Sequence, residues 1–154
     1  MNEPTLRQTL RWLSYAQADI LAAKQLMTQG ALFSSQICFL SQQAAEKAIK
    51  ASLVFLQIKF PYSHDLNRLT PLLPKQWQTF QQYSDLETLS NWAVDSRYPN
   101  PLGKPSVGEA VEALNQAEEI LQSIQEKLKM RGLELSENKS VSKSKDKSQT
   151  PQEE

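Results

Sequence analysis

The chain of 154 residues contains a single cysteine, Cys38, and a single histidine, His64. One cysteine cannot form an intramolecular disulfide, and so few thiol and imidazole groups argue against a zinc site. No segment approaches the roughly 20 consecutive apolar residues of a transmembrane helix. The N-terminus also lacks the apolar centre of a signal peptide. We therefore expect a cytoplasmic protein with no metal, no cofactor and no membrane contact.

The chain also has no excess of charge of either sign, because 17 basic residues balance 17 acidic ones. This balance argues against a general electrostatic attraction to nucleic acid, although a local basic patch is compatible with it. Residues 134–154 contain no aromatic side chain and consist mostly of Ser, Lys, Glu and Gln. Such a segment buries too little apolar surface to offset the entropy lost on ordering. We predict a helical domain over residues 1–133 and a disordered polar tail over residues 134–154.

Apolar residues recur every three or four positions along the first half of the chain, which predicts amphipathic helices. The first helix spans residues 5–27, with Thr5 as its N-cap. The second spans residues 32–58, is apolar on more than one side and ends near Pro61, so we place it centrally. The apolar stripe predicted for the first helix consists of Leu6, Leu10, Leu13, Ala16, Ile20, Ala23 and Met27.

The second half of the chain predicts one short helix and two longer ones. Ser63 is a candidate cap for a short helix over residues 64–73. Two capping boxes, at residues 84–87 and 106–109, open the longer helices. Gly132 marks the end of the last one, whose predicted apolar face contains Val107, Val111, Leu114, Ala117, Leu121, Ile124 and Leu128. The predicted fold is all-α: an up-and-down four-helix bundle with one additional short helix.

A polar stripe interrupts the second helix. Gln43, Lys47 and Lys50 are spaced four and three residues apart and share one face, with Glu46 beside it. One interpretation is a solvent-facing stripe that contains a Glu46–Lys50 pair. The other is a ligand-binding face.

Two further groups of polar residues lie at predicted helix ends. His64 and Asp65 either cap a helix start or supply a proton carrier or a ligand for phosphate. Arg97, with Asp95 and Tyr98, either meets the negative end of a helix dipole or grips a phosphate or carboxylate, with the Tyr98 ring available for stacking.

The order of these polar motifs along the chain is similar to that of a known family. A-A-E-K-A-I-K-A on a central helix is followed by H-D-L, then by S-R-Y-P and a long amphipathic helix. This order resembles the HEPN family of prokaryotic helical domains over about residues 10–129. The opening helix, with Trp12, Ala16, Asp19 and Ala22, is also similar to this family.

The resemblance implies a homodimeric bundle, often encoded beside an MNT-type nucleotidyltransferase as toxin and antitoxin, and in some members nucleotide binding. Ribonuclease members carry the motif R-x4-6-H and cut RNA without metal. Here no histidine lies at that spacing after Arg97 or Arg68, and His64 precedes Arg97. The motif is therefore absent, and the general acid–base group that RNA cleavage needs is missing from its expected place.

Three hypotheses follow. The leading one is a non-catalytic module that binds a nucleotide-like anion or a partner protein, with positive charge from Lys47, Lys50 and Arg97. His64 and Tyr98 would add a hydrogen bond and a ring face. The second is a metal-independent ribonuclease that uses His64 and Arg97. The third is a structural dimerisation module without a ligand, in which the polar groups fix helix register.

The aromatic residues of the ambiguous segment 75–83 bear on the predicted dimer. Trp77, Phe80 and Tyr83 either form an exposed surface that a second subunit covers or close the end of the bundle.

Overall fold

The computed structural model describes residues 2–78, 80, 86–99 and 103–135. Within these residues the chain forms five α-helices and no strand. The helices are α1 (Glu3–Met27), α2 (Ser34–Phe55), α3 (Leu66–Leu69), α4 (Leu86–Asp95) and α5 (Val107–Met130), and short 3-10 turns occur at Gly30–Phe33, Thr70–Leu72 and Lys75–Trp77. The predicted all-helical bundle of four main helices and one short helix is confirmed. The tail from residue 136 and the predicted cap at Ser84 lie outside the described residues.

Helix α1 begins two residues earlier than the sequence predicts. Asn2 is its N-cap, and the Asn2 Oδ1 accepts a hydrogen bond of 2.9 Å from the Thr5 backbone N–H. Pro4 fits the first turn, where no backbone N–H is needed for the helix. The choice of Thr5 as cap was therefore wrong. Leu10, assigned to the apolar stripe, is exposed, and Thr9 is buried in its place.

Helix α2 occupies the centre of the bundle, as predicted. It packs against α1, α4 and α5, and its alanines are fully buried: Ala44, Ala45, Ala48 and Ala51. Small side chains let the neighbouring helices approach closely. The predicted bounds were too wide, because the helix ends at Phe55, well before Pro61. Gln57 adopts φ +57°, and the Ile58 N–H donates to the Leu53 carbonyl at 2.9 Å, which closes the helix.

The connection between α2 and α4 contains α3. Asp65, rather than Ser63, is the N-cap of this helix, because its side chain accepts from the Asn67 N–H at 2.9 Å. The Ser63 hydroxyl instead accepts from the Asp65 N–H at 3.1 Å and shapes the preceding turn. Leu66 and Leu69 are fully buried, so the short helix is anchored to the core.

Helix α5 starts as the sequence predicts. In its capping box the Ser106 hydroxyl accepts from the Glu109 N–H, and the Glu109 carboxylate accepts from the Ser106 N–H, each at 3.1 Å. Gly132 follows the helix with φ +90°, a conformation that favours glycine. The predicted apolar face is buried from Leu114 onwards, but Val107 and Val111 are exposed, because Ala110 and Ala113 face the core in the first turns of α5.

Helices α1 and α2 run antiparallel. Asp19 of α1 pairs with Lys47 of α2, whereas Trp12, nearer the start of α1, lies by Lys50, nearer the end of α2. Trp77 and Phe80 are buried in the core, so the hypothesis that they form an exposed dimer surface was wrong, and they close the end of the bundle. Tyr83 lies outside the described residues. No described helix combines the length and apolarity needed to cross a membrane.

Candidate functional site

The buried carboxylate of Glu46 is the centre of a polar cluster on α2. Its Oε1 accepts from the Lys50 ammonium at 2.7 Å, and its Oε2 accepts from the amides of Gln43 at 3.1 Å and Gln42 at 3.3 Å. The Gln42 amide also donates to the His64 carbonyl at 2.9 Å, which ties the loop before α3 to α2. The Glu46–Lys50 pair was predicted, but its placement in solvent was wrong, since the two side chains are 4% and 8% exposed.

The same carboxylate orients the histidine. The His64 Nδ1 lies 2.9 Å from the Glu46 Oε1 and 3.2 Å from its Oε2. Because an ionised carboxylate only accepts hydrogen bonds, Nδ1 carries the proton in this contact. The ring is about half exposed, and Nε2 has no hydrogen-bond partner among the described residues.

The ammonium of Lys50 lies among three aromatic rings. Its Nζ is 5.7 Å from the centre of the Trp12 ring and 5.9 Å from those of Phe60 and Tyr62. These are cation–π distances, and the negative ring faces offset part of the loss of hydration of the buried ammonium. The ring contacts and Glu46 together explain how a lysine is buried on the central helix.

Lys47, one turn before Lys50, points to α1. Its Nζ lies 2.6 Å from the Asp19 carboxylate and 5.8 Å from the centre of the Tyr15 ring. Here a surface depression of about 440 Å³, which we call the α1–α2 groove, is lined by Gln8, Arg11, Trp12, Tyr15 and Lys47. No carboxylate is among the lining residues. The groove therefore offers Arg11 and the Asp19-paired ammonium of Lys47 beside two aromatic rings.

Arg97, which follows α4, lies against a different part of α2. Its Nε donates to the Ala93 carbonyl at 2.6 Å, and its guanidinium lies 5.2 Å from the centre of the Phe39 ring and 5.6 Å from that of Tyr98. Arg97 thus binds the carboxyl end of α4, which is the first of the two interpretations that the sequence allowed for this residue. Phe39 precedes Glu46 by seven residues, which is two helical turns or roughly 10 Å. The guanidinium and the imidazole thus contact different positions along α2.

A polar depression beside His64 is acidic. This His64 cleft has a volume of about 470 Å³, and its lining includes the carboxylates of Asp65, Glu87 and Asp95. Arg97, Lys47 and Lys50 are not among the lining residues. The field in the cleft therefore disfavours a phosphate or carboxylate ligand.

The candidate residues from the sequence fall into four places. Gln43, Glu46, Lys50 and His64 form one cluster, and Lys47 faces the α1–α2 groove. Asp65 and Asp95 line the His64 cleft. Arg97 bonds to the end of α4, with the Tyr98 ring beside its guanidinium. Gln42, Arg11 and Tyr15 were not candidates. The two α1 residues carried a signal in the sequence, because an arginine and a tyrosine flank the apolar stripe on the side where Trp12 lies.

Comparison with known protein families identifies the family of this chain. The model of the HEPN domain matches residues 9–128. The chain belongs to the HEPN family. This assignment confirms the resemblance inferred from the polar motifs, and it covers α1 to α5 except for a few terminal residues.

Two solved structures share the HEPN fold of this chain. ST0689, an archaeal HEPN homologue, is 26% identical, has a TM-score of 0.58, and the match covers 78% of this chain and 97% of that one. TT1696 from Thermus thermophilus is 25% identical, with a TM-score of 0.61 and a match over 79% of this chain and 98% of that one. No curated protein matches the chain significantly.

Proposed function

We propose that this HEPN protein is a non-catalytic module that binds a nucleotide-type ligand in the α1–α2 groove. The observation that carries the proposal is the Lys47 ammonium over the Tyr15 ring, with Arg11 and Trp12 in the same groove. A nucleotide combines a phosphate with a planar base. Cations and aromatic faces in one depression match both parts of such a ligand.

Electrostatics favour this groove over the His64 cleft. The cleft presents three carboxylates, whereas none lines the groove. Lys47 is paired with Asp19, so Arg11 supplies the cation that is not in an ion pair among the described residues. In the proposed site, Lys47 contacts the ligand, as the sequence suggested. Lys50 and Glu46 do not contact it but fix the position of the Trp12 ring.

Two observations support a non-catalytic role. The R-x4-6-H motif is absent from the sequence. The two residues that were to replace it, His64 and Arg97, contact α2 at Glu46 and Phe39, respectively, which are about two helical turns apart. Acid–base cleavage needs its groups within hydrogen-bond reach of one scissile bond, and separate contact points on α2 argue against this arrangement within one chain.

The family also suggests partners, and we propose these as part of the same function. The module would form a homodimer and work with an MNT-type nucleotidyltransferase, as in toxin–antitoxin pairs. Light scattering of the purified chain tests the homodimer, with a mass of one chain as the contrary result. Co-expression with a nucleotidyltransferase encoded beside this gene tests the second partner, because a stable pair survives size-exclusion chromatography.

Isothermal titration calorimetry with nucleoside mono- and triphosphates tests the ligand. We expect saturable binding that weakens about tenfold in Arg11→Ala, since a charge-assisted hydrogen bond contributes roughly 1.5 kcal/mol or more. Arg68→Ala is the matched control, because Arg68 is exposed on α3, outside the groove. If no nucleotide binds while a nucleotidyltransferase does, only the partner-binding function remains. Equal affinities of the two variants would place the ligand elsewhere.

A further inference from the structure

The C-terminal end of the described chain lies in a second depression on α1. This depression of about 570 Å³, which we call the α1–α5 groove, is lined by leucines of α1, among them Leu13 and Leu21, and by Gln125 of α5. Leu135, the last described residue, also lines the groove and packs against the hydrophobic core. The residues that follow Leu135 in the chain therefore start from this groove.

Arg11 borders both depressions of α1. It lines the α1–α2 groove, where we propose that the ligand binds, and it also lines the α1–α5 groove together with Leu135. Its side chain is exposed and forms no ion pair in the described part of the chain. Because an exposed arginine has many rotamers of similar energy, the guanidinium can turn to either groove.

The burial pattern after α5 indicates which of the following residues faces Arg11. Leu133 is buried, Glu134 is exposed and Leu135 is partly buried. This alternation is typical of an extended segment, whose successive side chains point to opposite sides. Continued by two residues, the pattern predicts that Glu137 is on the side of α1. Two residues of extended chain span at most about 7 Å, so the Glu137 carboxylate is within reach of the Arg11 side chain.

We propose that Glu137 pairs with Arg11 in the α1–α5 groove and thereby competes with the nucleotide in the α1–α2 groove. This inference rests on the proposed function, in which Arg11 supplies the unpaired cation of the ligand site. The ion pair turns the guanidinium away from the ligand, and a bound phosphate releases Glu137. The loss of chain entropy is limited, because Leu135 is already in place and only two further residues become ordered. The segment after α5 thus regulates the affinity of the site.

Isothermal titration calorimetry of the full chain with ATP tests the competition. Glu137→Gln removes the carboxylate charge and should tighten binding by about two- to fivefold, which is the effect of losing one exposed ion pair that competes with the ligand. Glu134→Gln is the matched control, because Glu134 has the same charge but is exposed between two residues that face the protein, and it should leave the affinity unchanged. In an Arg11→Ala background, Glu137→Gln should have no effect, because its partner is missing.

A second measurement needs no ligand. In the 15N spectrum of the free protein, the Nε–H resonance of Arg11 should shift in Glu137→Gln but not in Glu134→Gln. An unmoved Arg11 resonance in Glu137→Gln would overturn the inference. Equal ATP affinities of the wild type and Glu137→Gln, or a gain that persists without Arg11, would also overturn it and leave the proposed function standing. If no variant binds any nucleotide, the proposed function fails and the competition fails with it.

Discussion

Replacement of Glu46 with alanine removes the carboxylate that holds together the polar cluster on α2. The Lys50 ammonium, 2.7 Å from this carboxylate and 8% exposed, then stays buried without a counter-charge. Loss of one partner of a buried ion pair costs about 3–5 kcal/mol, far more than the pair contributes over an apolar replacement. The two glutamine amides also lose an acceptor. We expect Glu46→Ala to lower the free energy of unfolding by about 3–5 kcal/mol.

Urea unfolding followed by circular dichroism measures this change, and the protein supplies its own control. The ion pair of Lys24 and Glu118 has a distance of 3.3 Å and exposures of 50% and 27%, so Glu118→Ala should cost only about 0–1 kcal/mol. Replacement of both partners, Glu46→Leu with Lys50→Met, should recover at least about 2 kcal/mol relative to Glu46→Ala, because no unpaired charge remains. Similar costs for Glu46→Ala and Glu118→Ala would refute the reasoning.

Three further changes test the fold. Gln57→Gly should raise the free energy of unfolding by about 1 kcal/mol in the same urea experiment, because φ +57° strains any residue with a Cβ, and a loss of stability would contradict this. Ile124→Ala, at a fully buried position of α5, should lower it by about 2–5 kcal/mol, and a loss under about 1 kcal/mol would show that the site is not close-packed. Burial, and to a smaller extent the charge of Glu109, raises the pKa of the Cys38 thiol to about 12. A thiol reagent at about pH 8 should therefore modify Cys38 only after denaturation, whereas rapid modification of the native protein would count against this burial.

Much of the fold was predictable because its signals are local. The capping box of Ser106 and Glu109 and the glycine after α5 act within a few residues, so the sequence alone places both ends of that helix. The end of α2 was not predictable. It depends on Gln57 in a left-handed conformation, and glutamine has no special preference for it. The proline used as the marker lies several residues further on.

The candidate site was predictable only in part, for a related reason. Spacing on one helix correctly paired Glu46 with Lys50, since residues four apart share a face. Spacing does not show that His64, from a loop, joins that pair, or that Arg97 contacts α2 at Phe39, about two turns away. Burial also depends on the neighbouring helices. For that reason a stripe that looked solvent-facing lies mostly inside the bundle.

The most direct test of ligand binding in the α1–α2 groove is the indole N–H spectrum of the 15N-labelled protein during titration with a nucleotide. The chain has three tryptophans, and only Trp12 lines the groove. Trp77 is buried at the bundle end, and Trp92 is on α4. The account predicts a saturable shift of the Trp12 indole resonance, with those of Trp77 and Trp92 unchanged. Saturable shifts confined to Trp92, or binding that leaves Trp12 unmoved, would contradict it.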